Sequence, residues 1–399
     1  MHITTDSKNC SGCSACAMAC PVDAIEMTSD AEGFKIPIVN NEKCVDCGVC
    51  LNTCPVKHSV NQKQDEMEAF AAYWKSDVRT NSASGAFFPA LAKFIIEKRH
   101  GYVCGCVLNT GDLMPEHIVS NSWADIQRMQ DSKYVQSDLK NCCREIGTLL
   151  KENQAVLFTG TSCQVAGLYN YLLAKRISTE NLITIDFFCH GVPSPKIWKE
   201  YLHFYETEKG RKPIAYRFRS KRYGWGSSSR GSNHLNSITY RNTIQVVKHD
   251  NVTWAARMWR KIFFSNLCLR KYCYSCPYAT IHKPADFTMG DFWGIEQFYP
   301  EFDDGKGCSM VLARTEKARA LLHQVGWLTC KKVSIDEVTK KQANAFAPSS
   351  LDEQREQFWN DYREKGFPYC AKKYFLYTPK ARLKNFIIRV LFELKLKKI

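Results

Sequence analysis

Eight of the twenty cysteines lie within the first 54 residues and form two copies of one unit, offset by 34 residues. Each copy has three cysteines at intervals of three, a fourth cysteine four positions later and then a proline: Cys10, Cys13, Cys16, Cys20 and Pro21, followed by Cys44, Cys47, Cys50, Cys54 and Pro55. This is the bacterial spacing for two 4Fe–4S clusters, in which the fourth cysteine of each run binds the other cluster. The spacing predicts one cluster on Cys10, Cys13, Cys16 and Cys54, and a second on Cys44, Cys47, Cys50 and Cys20.

A pair of zinc sites is the alternative for the same eight cysteines. Structural zinc takes two separated pairs of ligands, often including histidine. Two runs of three plus one, each followed by proline, fit that arrangement poorly and fit 4Fe–4S clusters well. The first 60 or so residues therefore resemble a bacterial-type ferredoxin with two clusters.

Composition agrees with a metal- or redox-active protein. The chain has 399 residues, 55 Lys and Arg against 40 Asp and Glu, a formal net charge of +15 and 45% apolar residues. The first residues lack the apolar core of a secretory signal, and no apolar run reaches the ~18 residues of a membrane span, which predicts a cytoplasmic protein. Cysteines in that compartment indicate metal or redox chemistry. A zinc-containing nucleic-acid binder is a further function class, but it loses its main support once the cysteines are assigned to clusters.

The elements that must position a site lie behind the cluster domain. The polar stretch 59–68 predicts a linker, assigned to residues 61–75, between a cluster domain at 1–60 and a core at 76–320. Strand candidates at 101–108, 155–159 and 182–189 alternate with helix candidates at 138–152 and 164–176. This pattern predicts an α+β ferredoxin-like cluster domain followed by an α/β core with a largely parallel or mixed sheet, whose ligands bind beyond the carboxyl ends of the strands. Residues 321–399 are assigned to a C-terminal helical extension.

Two segments place small residues and hydroxyls at the start of a helix. Residues 81–85 (NSASG) precede an apolar-periodic helix, and residues 160–162 (GTS) follow an apolar strand candidate. Helix N-termini attract anions through free N–H groups and the helix dipole, so both segments are candidates for binding phosphate. An ordinary Ser/Thr helix cap is the alternative, and neither segment has the Gly-Lys-Ser/Thr of a P-loop.

A third set of cysteines lies in the core. Cys163 opens a helix, Cys189 ends a strand, and Cys273 and Cys276 form a Cys-x2-Cys pair followed by proline. Four thiolates suffice for one more 4Fe–4S cluster, although zinc also takes four cysteines and buried inert thiols are common. A further alternative makes Cys163 a nucleophile with His190 as its base.

Seven ordered segments resemble the coenzyme F-420 hydrogenase/dehydrogenase beta-subunit family over about residues 65–320. They are SASGAFFPALAKFI (82–95), DSKYVQSDL (131–139), VLFTGTSCQVAGL (156–168), DFFCHGVPSPKIWKEYL (186–202), FRSKRYGW (218–225), CYSC (273–276) and DFTMGDFWGIE (286–296). The resemblance implies a flavoprotein that binds FAD and a 4Fe–4S cluster and passes electrons between the cluster, the flavin and a hydride-accepting substrate. Coenzyme F-420 is the substrate of the best-known members, which makes it one candidate substrate here.

The resemblance also assigns roles by position. Ser82, Ser84 and Gly85 would contact the FAD diphosphate, Lys133, Tyr134, Gly160 and Thr161 would line the flavin pocket, and Cys163, Cys189, Cys273 and Cys276 would hold a third cluster. His190 and Asp291 are the polar residues expected near the flavin, as candidates for proton transfer; a turn histidine and a capping aspartate are the structural alternatives. Two positions depart from the family pattern, because Ala86 replaces a glycine and Ser162 replaces a proline.

The function implied is an FAD- and 4Fe–4S-dependent oxidoreductase. Its expected partners are a redox protein, either a ferredoxin or an oxidoreductase subunit, and a small-molecule substrate that the sequence does not identify; no nucleic-acid partner is expected. The alternative is an electron-transfer subunit that relays electrons to a partner enzyme, with polysaccharide biosynthesis as the link suggested by bacterial relatives.

Two basic segments stand apart from the cysteines. Residues 216–232 hold five basic and no acidic residues, and because charge runs usually face water, a solvated hairpin is favoured over an anion-binding loop. Residues 378–399 carry seven Lys and Arg and one Glu, with apolar residues at helical spacing. This basic amphipathic helix is a candidate for peripheral contact with the inner face of a membrane; a terminal helix packed on the domain is the alternative.

Overall fold

The computed structural model describes residues 3, 6–59, 67–221, 224–225, 236–241, 247–250, 253–376, 383 and 387. Its N-terminal unit consists of α1 (Ala15–Ala19), β1 (Ile25–Ser29), β2 (Lys35–Val39) and α2 (Val49–Thr53). The two strands form an antiparallel hairpin. Both helices follow a residue in the left-handed region, Ser14 at φ 60° and Gly48 at φ 72°. The two cysteine runs therefore fold as the same turn and short helix.

The rest of the chain is built on two sheets. The strands are β3 (Glu68–Trp74), β4 (Tyr102–Leu108), β5 (Pro115–Ser120), β6 (Val156–Thr159), β7 (Leu182–Phe187), β8 (Pro213–Arg217), β9 (Ser237–Arg241), β10 (Val247–Asp250), β11 (Phe287–Asp291), β12 (Ser309–Ala313) and β13 (Leu328–Val333). The large sheet has the order β13-β3-β12-β11-β7-β6-β4-β5, and β8, β9 and β10 form the small antiparallel sheet. The four central strands β11, β7, β6 and β4 are parallel, and the outer strands are antiparallel to their neighbours.

Helices cover both faces of the large sheet. They are α3 (Val78–Asn81), α4 (Phe87–Arg99), α5 (Trp123–Met129), α6 (Cys142–Lys151), α7 (Ser162–Ala174), α8 (Pro195–Lys209), α9 (Trp254–Phe264), α10 (Ile295–Phe298), α11 (Glu316–Gln324), α12 (Ile335–Thr339) and α13 (Arg355–Phe375, kinked at Gly366). Leu91 of α4 belongs to one core with Leu157, and Leu168 of α7 belongs to another with Phe158. Because successive strand residues point to opposite faces, Leu157 and Phe158 anchor one helix layer on each side of β6. Each such buried side chain contributes roughly 1.5–3 kcal/mol.

The carboxyl ends of five strands meet at one edge of the large sheet. The strands β4, β6, β7 and β11 run the same way, and β3 joins them because it is antiparallel to β12, which is antiparallel to β11. The segment 81–85 follows β3, Gly160 follows β6, Cys189 follows β7, and Asp291 ends β11. Chain topology alone therefore gathers most of the predicted site residues at this edge, which we call the carboxyl edge.

The N-terminal unit is docked directly onto α7 and its surroundings. A Cβ atom on Gly167 of α7 would come within 2.9 Å of the Cys13 sulfur, so the small glycine allows this close approach. Asn170 donates a hydrogen bond to the carbonyl oxygen of His58 at 2.8 Å, and Tyr278 donates to that of Pro55 at 3.1 Å. Backbone carbonyls of the cluster unit are thus held by side chains of the core.

The predicted fold class is confirmed, with a mixed large sheet. The strand candidates correspond to β4, β6 and β7, and the helix candidates to α6 and α7. Two boundaries differ from the prediction. The second half of the predicted linker 61–75 is strand β3, and the predicted helical extension from residue 321 contributes β13. Neither strand is evident locally, because each is stabilised by pairing with the other from the far end of the chain.

The helix predicted at 378–399 lies outside the described residues except for Leu383 and Ile387, which are helical and exposed. None of the described helices has the length and apolarity to cross a membrane.

Candidate metal centres and cofactor site

Four cysteines of the N-terminal unit line one recess of about 330 Å³: Cys10, Cys13, Cys16 and Cys54. The first three come from the turn before α1 and from α1 itself, and the fourth comes from the end of α2 in the other repeat. The backbone N–H of Gly12 donates to the Cys10 sulfur at 3.3 Å. Hydrogen bonds of this type support thiolate sulfur in iron–sulfur sites.

A second recess of about 370 Å³ is lined by the other four cysteines: Cys20, Cys44, Cys47 and Cys50. The backbone N–H of Ala24 donates to the Cys20 sulfur at 3.2 Å. This recess lies at the surface, since Cys47 is exposed and the rim residues Val22 and Val45 are 39% and 62% exposed. The structure therefore groups the eight cysteines in the two sets that the spacing predicts, and their role as cluster ligands stays a prediction.

The core brings its own four cysteines together at the carboxyl edge. Cys163 lies in the first turn of α7, Cys189 follows β7, and Cys273 and Cys276 lie in and just after the short turn Lys271–Ser275. Burial, with a smaller contribution from the charge of Cys276, raises the pKa of the Cys163 thiol to about 11. Burial likewise raises the pKa of Cys189 to about 12, with Cys163 acting in the same direction. Negative charge on these sulfurs thus calls for compensation, which a bound metal cluster supplies by holding the thiols deprotonated.

Hydrogen-bond donors surround the same sulfurs. The N–H of Gly191 donates to the Cys189 sulfur at 3.3 Å, and the Thr161 hydroxyl lies 3.1 Å from the Cys163 sulfur. Among the described residues, no three His, Cys, Asp or Glu side chains converge closely enough to hold a single metal ion. Four neighbouring thiols with hydrogen-bond donors form a donor set that fits a 4Fe–4S cluster.

Two buried cations flank this third set. Arg270 is fully buried, and its carbonyl oxygen accepts the Cys273 N–H at 2.9 Å. Lys283 is 2% exposed and donates to Ser162 Oγ at 3.2 Å and to the Tyr278 carbonyl oxygen at 2.6 Å. Neither cation was assigned from the sequence. An arginine within the apolar stretch LCLRKYC, three positions before a predicted ligand, is the signal that could have found Arg270.

The turn at residues 81–85, which was predicted to contact the FAD diphosphate, packs closely against the large sheet. Ser84 Oγ donates to the Cys308 carbonyl oxygen at 2.6 Å, and the Gly85 N–H donates to Ser309 Oγ at 3.0 Å. A Cβ atom on Gly85 would lie 2.3 Å from the Ala72 carbonyl oxygen, so this position requires glycine. The next residue, Ala86, has φ 67°, in the left-handed region that favours glycine. The departure from the family pattern at this position is therefore accommodated with backbone strain.

The side chains of Ser82 and Lys133 both donate hydrogen bonds to backbone carbonyl oxygens. Ser82 Oγ donates to the Val78 carbonyl oxygen at 3.2 Å. Lys133 Nζ donates to four carbonyl oxygens at the end of α5, those of Arg128, Met129, Gln130 and Asp131. Lys133 thereby caps the C-terminus of that helix, a common role for lysine.

Tyr134, Gly160 and Thr161 also have partners within the protein. Tyr134 stacks on Phe263 with ring centroids 4.3 Å apart. The Gly160 N–H donates to the Ile185 carbonyl oxygen at 3.1 Å. Thr161 forms a capping box with Gln164, whose Oε1 accepts the Thr161 N–H at 2.9 Å. At the start of α7 the structure therefore shows an ordinary helix cap.

Positive charge gathers around the turn 81–85. Lys221 Nζ donates to the carbonyl oxygens of Ser84 and Lys306, the latter at 2.8 Å, and Arg217 donates to Asn81 Oδ1 at 3.1 Å. Burial, with a smaller contribution from the charge of Arg79, lowers the pKa of Lys221 to about 7. A bound anion would relieve both effects.

Two buried polar atoms just after α5 have no hydrogen-bond partner among the described residues: Gln130 Nε2 and Asp131 Oδ1. The charge of Asp131 acts on Lys221 beside the turn. The other oxygen of Asp131 accepts the backbone N–H of Arg219 at 3.4 Å. Unsatisfied buried polar atoms in native proteins commonly face a bound group. Together with the cations around the turn, they form a polar, positively charged environment suited to a bound anionic group.

The side chains of His190 and Asp291 both form hydrogen bonds with other side chains of the protein. The two ring nitrogens of His190 lie 2.7 Å from Asn266 Oδ1 and 3.1 Å from Ser349 Oγ. These contacts leave no ring nitrogen for Cys163, so the nucleophile–base pair considered from the sequence is not formed. Asp291 pairs with Arg219 and accepts from Trp225 Nε1 at 3.2 Å. Arg219 is only 5% exposed, which corrects the expectation that the basic segment 216–232 is solvated throughout.

Fold and site together define a ferredoxin-type iron–sulfur unit docked on a mixed α/β core. Residues 9–58 match the 4Fe-4S dicluster domain, and residues 153–340 match the family described as the C terminus of the beta subunit of coenzyme F420 hydrogenase/dehydrogenase. The core of the chain is thus similar to this beta-subunit family over residues 153–340, and a 4Fe–4S dicluster domain precedes it. The family resemblance inferred from the sequence is thereby confirmed.

Individual relatives match different parts of the chain. A ferredoxin of Streptomyces griseus is 33% identical over 91 residues, which are 23% of this chain and 81% of the ferredoxin. An uncharacterised protein of Methanocaldococcus jannaschii is 24% identical over 222 residues, and the match spans 46% of this chain and 60% of that protein. A chain of the F420-reducing [NiFe] hydrogenase complex from Methanosarcina barkeri is similar in structure with a TM-score of 0.45 and 14% identity, over 70% of this chain and 89% of that one.

Proposed function

We propose that this chain is an iron–sulfur flavoprotein oxidoreductase that passes electrons between ferredoxin-type 4Fe–4S clusters, FAD and a hydride-accepting substrate. The observation that carries the proposal is the sequence of three cysteine sets from the surface to the carboxyl edge. The set with Cys47 is open to solvent, the set with Cys13 contacts α7 at Gly167, and Cys163 opens the same helix. The shared contact with α7 supports a route for single electrons from the Cys13 set to the Cys163 set, with the Cys47 set as the entry point at the surface.

The residues at the carboxyl edge are suited to hold a nucleotide cofactor. The cations Lys221 and Arg217 and the first turn of α4 would hold the diphosphate of FAD, and Gln130 and Asp131 would meet its polar groups. Iron–sulfur clusters carry single electrons, whereas FAD accepts them singly and delivers them in pairs as hydride. The protein supplies binding, orientation and exclusion of water. Coenzyme F-420 is one candidate for the hydride acceptor.

A second candidate function is a relay subunit without a substrate of its own. The exposed Cys47 and the exposed apolar rim of Val22 and Val45 favour a protein docking at this end, which both functions share. The two functions differ at the carboxyl edge, where only an enzyme binds a small-molecule substrate. If the reduced protein is reoxidised by a small-molecule hydride acceptor alone, the enzyme is supported; if it requires a partner protein, the relay is supported.

Metal and flavin analysis of an anaerobic preparation tests the proposal. Three four-iron clusters predict about twelve irons per chain, together with one FAD. In Cys276→Ser, iron should fall by about four while the signals of the two N-terminal clusters persist. The matched control is Cys330→Ser, since Cys330 is an exposed cysteine outside the three sets. Zinc in place of iron, or the absence of flavin, would contradict the proposal.

A further inference from the structure

Arg270 joins the two halves of the molecule through its guanidinium group. Its Nε donates to the Cys10 carbonyl oxygen at 2.6 Å, one terminal nitrogen donates to Gln136 Oε1 at 2.9 Å, and the other donates to the Lys35 carbonyl oxygen at 2.9 Å. A Cβ atom on Gly12 would lie 2.6 Å from the guanidinium, so the cation lies directly against the turn that carries Cys10 and Cys13. On its other side, its carbonyl oxygen accepts the Cys273 N–H.

Among the described residues, no carboxylate forms an ion pair or hydrogen bond with the buried guanidinium of Arg270. Arg270 has no exposed surface, and its hydrogen-bond partners are two carbonyl oxygens and one amide oxygen, all neutral. Glu32, which lies in the same interface, is paired with Arg355 and approached by Lys271. A buried guanidinium without a counter-charge is costly, and hydrogen bonds to neutral oxygens offset only part of that cost. The charge of Arg270 acts on Cys163 of the third set, and its guanidinium lies against the turn that carries Cys10 and Cys13 of the first set.

We propose that Arg270 is the shared counter-charge of the clusters bound by the Cys10 set and the Cys163 set, and that it raises their reduction potentials. This inference rests on the proposed function. A 4Fe–4S cluster with four thiolates carries about −2 when oxidised and −3 after it accepts one electron. A buried cation stabilises the more negative state more strongly, so reduction becomes easier. Because Arg270 lies between the Cys10 set and the Cys163 set, it raises the reduction potentials of both clusters relative to that of the cluster in the Cys47 set.

Neutralising variants of the full-length holoprotein test this inference. Arg270→Gln removes the charge, and Gln136→Glu keeps the guanidinium but sets a carboxylate against it in a nearly isosteric side chain. The measurement is an EPR-monitored redox titration with dithionite as the one-electron reductant. Both variants are expected to shift the reduction equilibrium of the affected clusters about tenfold toward the oxidised form, which corresponds to about 59 mV for one electron. Arg270→Lys should stay close to the wild type, and the cluster of the Cys47 set should not shift.

The control separates charge from domain packing. The double variant Arg355→Gln with Glu32→Gln removes another buried contact between the two units without changing the net charge. It is expected to loosen the interface and leave the potentials unchanged. Unchanged potentials in both neutralising variants, or an equal shift in the double variant, would overturn the inference. If Arg270→Gln fails to fold, Gln136→Glu decides the question.

The same titration distinguishes failure of this inference from failure of the proposed function. A wild-type protein with about eight irons per chain would remove the third cluster from the proposed function. The effect of Arg270 would then be measured on the reduction potential of the cluster in the Cys10 set alone, which Arg270→Gln should still lower. If the wild-type protein holds three clusters but their reduction potentials do not change in the neutralising variants, the inference is wrong and the proposed function still stands.

Discussion

The carboxylate of Glu32 and the guanidinium of Arg355 form a two-pronged buried ion pair that ties the N-terminal unit to α13. One of its two hydrogen bonds, from Arg355 to Glu32 Oε1, measures 3.0 Å, and both residues are less than a tenth exposed. Glu32 comes from the loop between β1 and β2, so the pair links the cluster hairpin to the last described long helix. The docking of the cluster unit therefore depends on α13 near the end of the described chain as well as on α7 of the core.

Replacing Arg355 by Gln is expected to destabilise the protein strongly. The substitution removes the main partner of the buried Glu32 carboxylate and leaves Lys271, 3.7 Å away, beside it. Breaking a buried ion pair in this way typically costs about 3–5 kcal/mol. The melting temperature should fall, and proteolysis should release the N-terminal unit more readily. Lys331→Gln is the matched control, because it breaks a largely exposed pair with Glu301 that contributes roughly 0–1 kcal/mol. Equal effects of the two substitutions would contradict the prediction.

Replacing Ala86 by Gly is expected to stabilise the protein. Ala86 has φ 67°, a conformation that costs a residue with a side chain about 1–2 kcal/mol and costs glycine little. After the entropy lost by glycine on folding, a net gain of about 0.5–1 kcal/mol remains. Ala90→Gly, within the same helix, should instead destabilise by about 1 kcal/mol or more. A lower melting temperature for Ala86→Gly would show that the strain is not released.

Replacing Gly85 by Ala is expected to disrupt the turn at the carboxyl edge. The added Cβ would lie 2.3 Å from the Ala72 carbonyl oxygen and 2.6 Å from the Ser309 nitrogen, both of them backbone atoms. Overpacking of this kind typically costs about 1–3 kcal/mol or more. Gly326→Ala serves as control, since its Cβ would meet nothing within 4 Å. Comparable unfolding curves for the two variants would disprove the assignment of Gly85 as a close-packing position.

His117 is expected to make the protein sensitive to mild acid. Its Nε2–H donates to the Thr159 carbonyl oxygen at 3.0 Å, while Nδ1 is buried without a partner among the described residues. Burial lowers the pKa of His117 to about 4, so between pH 6.5 and 4 the unfolded chain binds a proton that the folded protein does not. Stability from this group is therefore present above pH 6.5 and is lost as the pH falls toward 4.

The size of that effect follows from proton linkage. One proton contributes a slope of at most about 1.4 kcal/mol per pH unit over this interval. His117→Gln keeps a donor for the Thr159 carbonyl oxygen and should flatten the slope of unfolding free energy against pH. His249→Gln is the control, because His249 is exposed. An unchanged slope in His117→Gln would assign the acid sensitivity to other groups.

Whether a contact could be predicted from the sequence depended on how far apart its two residues lie along the chain. The exchange of Cys20 and Cys54 between the two cysteine runs follows from local spacing, and the two recesses group the cysteines in the same way. The periodic apolar faces of α4 and α7 were also visible in the sequence. The capping role of Lys133 was not, because it depends on how the loop after α5 folds back on the helix end.

Apart from the convergence of the third cysteine set, contacts between distant segments were not predicted. Arg219 lies in a run of basic residues that looks like a solvated face, yet Asp291, 72 positions later, makes it a buried ion pair. Arg270 reaches Cys10 across 260 positions. Pairings of this kind are set by the order of strands in the sheet, which local pattern and composition do not encode.

The position of β3 has a consequence for biosynthesis. This strand is translated directly after the cluster unit, but its neighbours β12 and β13 come from the last third of the chain, with Trp74 opposite Leu328. At about 5–20 residues per second, a ribosome needs on the order of tens of seconds to deliver them. During that interval the apolar strand has two unpaired edges, which favour aggregation. The nascent N-terminal unit meanwhile lacks the interface that later covers it, so the sulfur of Cys13 is most accessible while the protein is still being made.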